Sequence, residues 1–433
     1  MRLLSVLAGL FAALCTAGIA RRLGGEVAAL RAAVVITCLP LAAAGLVLAT
    51  PDAPLLAATA AGMYAVVRAV QAPIRSRDAL LWWTVAGVAL GLAFASKYTS
   101  ILLPIGVTIA VIARRSLRAR LAEPGPYVAC VVATLVFLPV LLWNADHDWV
   151  SFGFQLRHGL GAPRRPDPWA PLKRIGDLVG GQAGLVSPIL FVFLAIATAR
   201  SLRRRASDAA FVLAVVAAFG FVFFCYSATR QRVEANWPAL AYIPAIALLG
   251  ALDWSVRARA WLRAGAWLGA VLSVLIYLHA AFGLLPIAPR RDPVARAAGW
   301  EELARAATSR QRVADAVTGG QSWLAADRYQ ESGELAFYAP AHPTVFSMNL
   351  SGRRNQYDLW PGFPELAKPG DDLLLVVDES DEMHGTVARL APYFADVRRD
   401  SLVELRNRRG VVAQRRLWVL RDWRTGWPIP RER

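Results

Sequence analysis

The segment from Trp143 to His158 contains residue types that perform acid–base and metal chemistry. His147 lies between Asp146 and Asp148, and an imidazole beside a carboxylate can form an acid–base pair or bind a divalent metal ion. The spacing fits no standard metal motif. A solvated loop with tryptophan anchors is the alternative, so a metal ion at His147 stays open.

The same segment continues with three further polar residues, Gln155, Arg157 and His158, which we expect to bind substrate, the arginine through an anionic group. A second polar stretch precedes Trp237 and contains charges of both signs. Its members are Arg230, Arg232, Glu234 and Asn236. An anion-binding site and a solvated loop whose charges pair with each other are both compatible with this pattern.

Two charged residues stand at the ends of apolar runs. Asp52 lies in the sequence Thr-Pro-Asp-Ala-Pro, where its carboxylate is either an N-cap for the following helix or a catalytic group at the membrane surface. Lys97 precedes Tyr98, Thr99 and Ser100. Its ammonium either reaches towards lipid head groups or, with Tyr98, binds a phosphate at the interface.

The composition is that of a membrane protein. Of 433 residues, 56% are hydrophobic and 18% charged, and the mean hydropathy is +0.40. These values exclude an ordinary cytosolic enzyme, a disordered chain and a secreted disulfide scaffold. The net charge is +17, but the excess lies in residues 1–289, with 26 Lys/Arg against 11 Asp/Glu, and residues 290–433 have 22 against 20. Short arginine clusters between apolar runs indicate cytoplasmic loops and no nucleic-acid partner.

Ten apolar stretches are long enough, or nearly so, to cross a bilayer. They are 3–20, 28–49, 54–70, 80–96, 100–113, 126–143, 184–199, 209–226, 237–252 and 264–285. Arginine clusters fall in every second connection, which predicts that these connections are cytoplasmic. The connections 50–53, 97–99, 144–183 and 227–236 are then outside, and so are Met1 and everything after 286.

Residues 290–433 have a soluble composition. Apolar stretches at 321–326, 344–348, 373–377 and 411–420 predict strands, and 294–307, 328–338 and 384–393 predict helices. This alternation indicates a small α/β domain on the outer side, after a transmembrane domain over 1–289.

The polar residues of the four outer connections predict a cavity that opens outward at the membrane surface. Such a cavity can take a lipid with a polar head from the bilayer and a second substrate from the aqueous side. The sequence contains no Walker A motif and no Gly-rich turn between a strand and a helix. A substrate that arrives already activated is therefore favoured.

Several outer motifs resemble one family of membrane glycosyltransferases. They are Leu92 to Thr99, Trp143-Asn144 with His147 to Phe152, Ala235 to Pro238, and Asn355 to Trp360 after Leu335 to Tyr338. Their sequences and order resemble the dolichyl-phosphate-mannose protein mannosyltransferases and the bacterial aminoarabinose and RgtA/B/C/D-like glycosyltransferases. The likeness covers nearly the whole chain, from Arg2 to about Asp422.

The resemblance implies a polytopic α-helical GT-C fold in the bacterial inner membrane. It also implies a polyprenyl-phosphate-linked sugar as donor, bound from the outer leaflet, and transfer to an acceptor that the motifs do not identify. By position, Lys97 resembles the phosphate-contacting lysine of the family, and Asp52 resembles its second acidic residue. The loop with His147 resembles one that contributes to a metal site in some members. Arg157, Arg230 or Arg232 would then help Lys97 to neutralise the departing phosphate, and Asp52 and Asp148 are the candidate catalytic carboxylates.

The sequence departs from the family pattern at its beginning. Met1 to Gly9 resembles the second helix of the family, without the first helix and its acidic loop. Either the protein begins upstream and is an active transferase, which we favour, or this is a genuine short form without its catalytic base. Such a short form would be inactive or a partner of another subunit, and would bind donor but transfer little sugar. Two other classes stay open: a transporter or flippase of lipid-linked sugars, and a membrane scaffold whose outer domain binds glycan or a partner.

Overall fold

A computed structural model describes residues 2–45, 50–160, 168–292, 294–318, 320–350, 355–379 and 385–428. The chain folds as two compact units, Met1–Leu278 and His279–Arg433. The helices that begin in the first unit are α1 Arg2–Cys38, α2 Pro40–Gly45, α3 Asp52–Gln71, α4 Arg77–Ser96, α5 Leu102–Ala113, α6 Gly125–Ala145, α7 Val150–Leu160, α8 Ala170–Val186, α9 Pro188–Ser201, α10 Asp208–Arg230, α11 Ala239–Ala251 and α12 Val256–Phe282.

Helix α1 is interrupted at Gly25, which has φ +78° and ψ −164°. L-residues with a side chain rarely adopt this conformation, so glycine permits the break. The two arms of α1 correspond to the predicted runs 3–20 and 28–49, although positions 46–49 lie outside the described residues. Arg31, in the second arm, donates to the carbonyl oxygens of Gly250 and Leu252 at 2.9 Å and satisfies the end of α11.

Six helices in the described part of the chain are long and apolar enough to cross a membrane. Two further bent pairs raise the number to eight if each pair forms one span. Ten crossings are therefore not confirmed. One reason is α11, which is buried from Ala239 to Gly250 but has only 13 residues. A helix that is apolar on all sides fits the interior of a bundle.

Close packing fixes helix α4 against α6. A Cβ at Gly87 would lie 2.5 Å from the carbonyl oxygen of Ala129, and one at Gly91 would lie 2.6 Å from Cβ of Val136. Small residues permit such approach between membrane helices. The packing positions the end of α4, where Lys97 follows, beside the end of α6.

The sequence predicts a connection over 144–183, and the structure places helices α7 and α8 in that range. In α8, apolar residues such as Leu178 and Val186 recur with helical spacing, and charged residues lie between them. These charged residues lower the mean hydropathy of α8, so the sequence does not predict a span there. At Ser187, with φ +75°, the chain bends by 104° into α9. The predicted span 184–199 is therefore wrong at its beginning.

At the opposite end of the bundle from Asp52, Arg120 binds the free carbonyl groups at the end of a helix. Arg120 is 6% exposed and donates to the carbonyl oxygens of Val70 (2.8 Å) and Ala72 (2.5 Å) at the end of α3. The Arg120 guanidinium also pairs with Glu123 at 3.3 Å, and Trp83 Nε1 donates to the same carboxylate. Arg120, in a cluster predicted as a surface loop, is thus a buried structural residue.

The second unit contains a five-stranded sheet in the order β2-β1-β3-β5-β4. Its elements are α13 Trp300–Thr318, β1 Ser322–Ala326, α14 Tyr329–Tyr338, β2 Val345–Ser347, α15 Phe363–Leu366, β3 Asp372–Asp378, α16 Thr386–Leu390, β4 Phe394–Asn407 and β5 Gly410–Trp423. Strands β2, β1 and β3 are parallel, and β5 is antiparallel to both β3 and β4. Apolar side chains form a core on each face of the sheet.

The structure confirms the predicted α/β fold and the four predicted strands. The sequence did not predict β4, because charges such as Arg398, Arg399 and Asp400 interrupt its apolar alternation. The helix predicted over 294–307 begins later, at Trp300, while the helix predicted over 328–338 is confirmed as α14.

Candidate functional site

The carboxylate of Asp52 contacts two residues that are distant in the sequence. Lys97 Nζ donates to Asp52 Oδ1 at 2.8 Å, and Asn236 Nδ2 donates to Asp52 Oδ2 at 2.6 Å. The Asp52 side chain is only 9% exposed, whereas the Lys97 side chain is 24% exposed. An anion that approaches this cluster from solvent therefore meets the ammonium of Lys97.

Local backbone geometry positions these side chains. Helix α3 begins at Asp52, directly after Pro51, and has no side-chain cap, so the N-cap interpretation of Asp52 is wrong. Lys97 is extended, with φ −162° and ψ 130°, and ends α4 before a 3-10 helix over Tyr98–Ile101. Asn236 lies in the short connection before α11. The three residues thus come from three helix termini at one end of the bundle.

The geometry leaves binding capacity at this cluster. An ammonium has three donors, and Asp52 takes one of them. A carboxylate has about four acceptor positions, and Lys97 and Asn236 each occupy one. The cluster can therefore bind an anion through Lys97 and accept a proton or a hydroxyl hydrogen through Asp52.

A second hydrogen-bonded group adjoins Lys97. The hydroxyls of Tyr98 and Ser151 are 2.7 Å apart, and Ser151 Oγ donates to Asn144 Oδ1 at 2.6 Å. Asn144 is fully buried, and its Nδ2 donates to the carbonyl oxygen of Val140 at 2.9 Å. These bonds attach the start of α7 and the end of α6 to the residue after Lys97.

Aromatic rings complete this attachment. The rings of Tyr98 and Phe152 are stacked, with centroids 4.8 Å apart and an angle of 2° between their planes. Phe137 lies edge-on to Tyr98 at 6.0 Å. Such pairs add stability beyond the burial of their area, so the ring of Tyr98 is held from two sides.

His147 and Asp148 lie in the turn between α6 and α7 without joining the Asp52 cluster. His147 is stacked on Trp143 at 4.2 Å, and its Nδ1 is 2.8 Å from the Trp143 carbonyl oxygen. Asp148 is exposed and has φ +53°. In the residues that the structure describes, no group of three or more His, Cys, Asp or Glu side chains is placed to hold a metal ion.

The remaining predicted residues are dispersed. Arg232 and Glu234 are exposed and lie 3.7 Å apart, as in the self-paired alternative. The Arg230 guanidinium lies over the ring of Tyr226 at 5.1 Å. Gln155 is exposed on α7. Arg157 and His158 also belong to α7, but their side chains lie outside the described residues.

Sequence reasoning missed Asn144, Ser151 and Gln182 as candidate site residues. Asn144 and Ser151 are seven positions apart, and in one continuous helix this spacing would place them on the same side. They belong to different helices, α6 and α7, so the spacing does not predict their contact. Gln182 is polar in a largely apolar run, which was the one available signal.

Comparisons with known proteins agree with this architecture. Residues 1–143 match a family model described as dolichyl-phosphate-mannose-protein mannosyltransferase. The lipid A galacturonosyltransferase RgtD of Rhizobium johnstonii is 28% identical over 269 residues, which are 59% of this chain and 51% of that protein. The chain thus spans about half the length of this curated relative.

Solved structures show a similar fold over almost the whole chain. ArnT from Cupriavidus metallidurans in the apo state matches with a TM-score of 0.59 and 17% identity, over 96% of this chain and 83% of that one. The same protein bound to undecaprenyl phosphate matches with a TM-score of 0.61, the same identity and the same coverage. The chain is thus a multi-pass membrane protein with a GT-C fold similar to that of ArnT, and part of its sequence is similar to that of RgtD.

Proposed function

We propose that this protein transfers a sugar from a polyprenyl-phosphate-linked donor to an acceptor at the outer face of the bacterial inner membrane. The observation that carries the proposal is the Lys97–Asp52–Asn236 cluster at one end of the bundle. A cation beside an anchored carboxylate has the chemistry that a displacement of sugar from phosphate needs.

In the proposed reaction, the acceptor hydroxyl oxygen forms a bond to the anomeric carbon of the donor. The bond between that carbon and the phosphate oxygen breaks, and polyprenyl phosphate leaves with both bonding electrons. Lys97 stabilises the negative charge that develops on this phosphate, through the two N–H donors that Asp52 does not use. The hydroxyl proton goes to a carboxylate, for which Asp52 is the best-placed described candidate and Asp148 the second.

An apolar cavity between α3, α4, α5 and α6 supports a donor with a long isoprenoid chain. Its lining is mostly apolar, from Ala58 and Leu103 to Leu121, and includes Arg120 at the opposite end of the bundle. Ala58 follows Asp52 by six positions in α3, or about 9 Å along the helix axis. A lipid whose phosphate contacts Lys97 could therefore extend its chain into this cavity.

The charge distribution supports the outer location of the cluster. Basic residues gather in alternate connections, and Arg114 to Arg120 form one such group at the end of α5. Because cytoplasmic connections are rich in Lys and Arg, we propose that the Asp52 end faces outward. We also propose that residues 279–433 are extracytoplasmic, since the alternation of basic connections makes the last apolar run end outside.

The relatives support the choice of substrates. One related structure contains undecaprenyl phosphate, and RgtD is described as a lipid A galacturonosyltransferase. We therefore propose a polyprenyl phosphate carrier and an acceptor in the cell envelope.

The proposal is tested with the full chain in nanodiscs. Radiolabelled polyprenyl-phosphate sugars, including galacturonic acid and aminoarabinose derivatives, are incubated with protein and with lipid A as acceptor. We expect label to appear in lipid A with wild-type protein and to be lost in Lys97→Ala. Arg205→Ala, which removes an exposed cation from the connection between α9 and α10 at the other end of the bundle, is the control and should retain transfer. No donor binding and no transfer with any donor would refute the proposal.

A further inference from the structure

Helix α8 presents a buried amide to the connection that contains Asn236. Gln182 is 2% exposed, and its Nε2 donates to the carbonyl oxygen of Ala235 at 2.8 Å. The hydroxyl of Tyr242, in the buried helix α11, donates to Gln182 Oε1 at 3.0 Å. Because a neutral tyrosine donates one hydrogen here, Oε1 of Gln182 faces Tyr242 and Nε2 is directed to Ala235.

Helix α8 also fixes the other end of the same connection. Arg174 donates to the carbonyl oxygens of Ala228 (3.0 Å) and Thr229 (2.8 Å) in the last turn of α10. The last carbonyl groups of a helix have no N–H donor within that helix. The guanidinium of Arg174 provides the missing hydrogen bonds. Helix α8 thus binds the connection from α10 to α11 at both ends, through Arg174 at the end of α10 and through Gln182 at Ala235.

Asn236 directly follows Ala235, the residue held by Gln182. Two hydrogen bonds therefore join Tyr242 to Gln182 and Gln182 to the Ala235 carbonyl, and a third joins the side chain of the next residue, Asn236, to the carboxylate of Asp52. Side chains with hydrogen bonds of this kind fix the orientation of a functional group more precisely than packing alone.

We infer that Gln182 is a positioning residue for the Asp52 carboxylate. It holds the backbone at Ala235 so that the amide of Asn236 reaches Asp52 Oδ2 at 2.6 Å while Lys97 binds Oδ1. The inference rests on the proposed function, because it assigns a role in the transfer step. It predicts that loss of Gln182 lowers the turnover rate and leaves donor binding through Lys97 unchanged.

The test uses the full chain in nanodiscs and the sugar-transfer assay. Gln182→Leu retains most of the side-chain volume and removes both hydrogen bonds, whereas Tyr242→Phe removes only the bond that orients the amide. Thr198→Val is the matched control, because the Thr198 hydroxyl is also buried but bonds only to Leu194 in its own helix. We expect kcat to fall about tenfold in Gln182→Leu, near the upper value for one hydrogen bond, and less in Tyr242→Phe.

A double-mutant cycle separates positioning from general destabilisation. In an Asn236→Ala background, Gln182→Leu should cause little further loss of kcat, because the amide that it positions is already absent. An equal loss of kcat in both backgrounds would overturn the inference.

Hydrogen–deuterium exchange of residues 230–238 provides a readout that does not depend on activity. Gln182→Leu should raise deuterium uptake in this segment, and Thr198→Val should not. If wild-type protein transfers no sugar, the proposed function fails and the role of Gln182 in transfer fails with it. Unchanged uptake in Gln182→Leu would also refute the positioning of Asn236 by Gln182, whereas raised uptake would support that positioning alone.

Discussion

The ammonium nitrogen of Lys97 lies 2.8 Å from Asp52 Oδ1, although 45 positions separate the two residues. Asp52 begins α3 and Lys97 ends α4, so the antiparallel packing of these two helices brings the charges together. Burial of a carboxylate is costly unless a cation and a hydrogen-bond donor compensate it, and Lys97 and Asn236 provide both. The pair therefore stabilises the first unit, in addition to the role in sugar transfer that we propose for it.

Removal of Lys97 alone should destabilise the first unit, because it leaves a buried carboxylate without its cation. We expect Lys97→Met to lower the free energy of unfolding by about 2 kcal/mol or more, measured as thermal stability in detergent. In the double variant Lys97→Met/Asp52→Asn no buried charge is left, so most of the stability should return. Equal stability of the single and double variants would contradict the pairing.

Donor binding should respond differently to the same substitutions. If Lys97 binds phosphate, Lys97→Met should weaken binding of a polyprenyl phosphate by about 1.5–3 kcal/mol, the range for a hydrogen bond to a charged group. The double variant should remain equally weak, although it is stable. Lys97→Arg should restore binding only in part, because a planar guanidinium presents its donors differently. Unchanged affinity in Lys97→Met, measured by titration in nanodiscs, would exclude the phosphate contact.

The hydroxyl of Tyr98 should affect donor binding through the attachment of α7. Tyr98→Phe retains the stack with Phe152 but leaves Ser151 Oγ without one of its partners. We expect about a fivefold loss of donor affinity, within the net value of one hydrogen bond. Tyr127→Phe is the control, since the Tyr127 hydroxyl bonds only to the Leu121 carbonyl oxygen near the start of α6. Equal effects of the two variants would argue against this role of Tyr98.

Much of the first unit could be predicted from the sequence because hydropathy identifies apolar helices directly. Asp52, Lys97 and Asn236 could also be chosen one by one, as ionisable or polar residues at the ends of apolar runs. Their mutual contacts could not be predicted, since these depend on which helices pack together. That choice depends on small residues such as Gly87 and Gly91, whose effect on helix spacing leaves no pattern in the hydropathy.

The roles of His147, Asp148 and Arg232 stay predictions, and these residues show a different difficulty. A local cluster of charged residues suggests a site, but neighbours in sequence can satisfy each other, as Arg232 and Glu234 do. Gln182 was missed because its role depends on a contact with Ala235, 53 positions away. Sequence reasoning thus detected polar residues at helix ends but not a polar residue inside an amphipathic helix.

Helix spacing should be sensitive to a side chain at Gly91. A Cβ there would already lie 2.8 Å from the Ala133 carbonyl oxygen, so Gly91→Leu must move α4 away from α6. We expect a clear loss of thermal stability and, because Lys97 follows α4, a loss of donor binding. Gly184→Leu is the control, since no atom beyond its chain neighbours and its own helix backbone lies within 4 Å of a Cβ at Gly184. Wild-type behaviour of Gly91→Leu would contradict the close packing of α4 and α6.

The second unit should lose stability as pH rises, because of Glu331. This residue is 3% exposed, and its Oε1 lies 2.7 Å from Nη2 of Arg415, whose Nη1 binds Asp378 at 2.8 Å. Burial raises the pKa of the Glu331 carboxyl from its ordinary value of 4.5 to about 7, although Arg415 acts in the opposite direction. The folded unit therefore keeps a proton that the unfolded chain has already released.

The sign follows from linkage between proton binding and folding. Below about pH 4.5 both states are protonated and the stabilising contribution is fully present; it is lost as pH rises to about 7. Hydrogen exchange of β1 and α14 in the full chain, corrected for intrinsic rates, should show faster opening at pH 8 than at pH 5. Glu331→Gln, which cannot ionise, should remove this contribution, and a pH dependence identical to that of the wild type would disprove the assignment to Glu331.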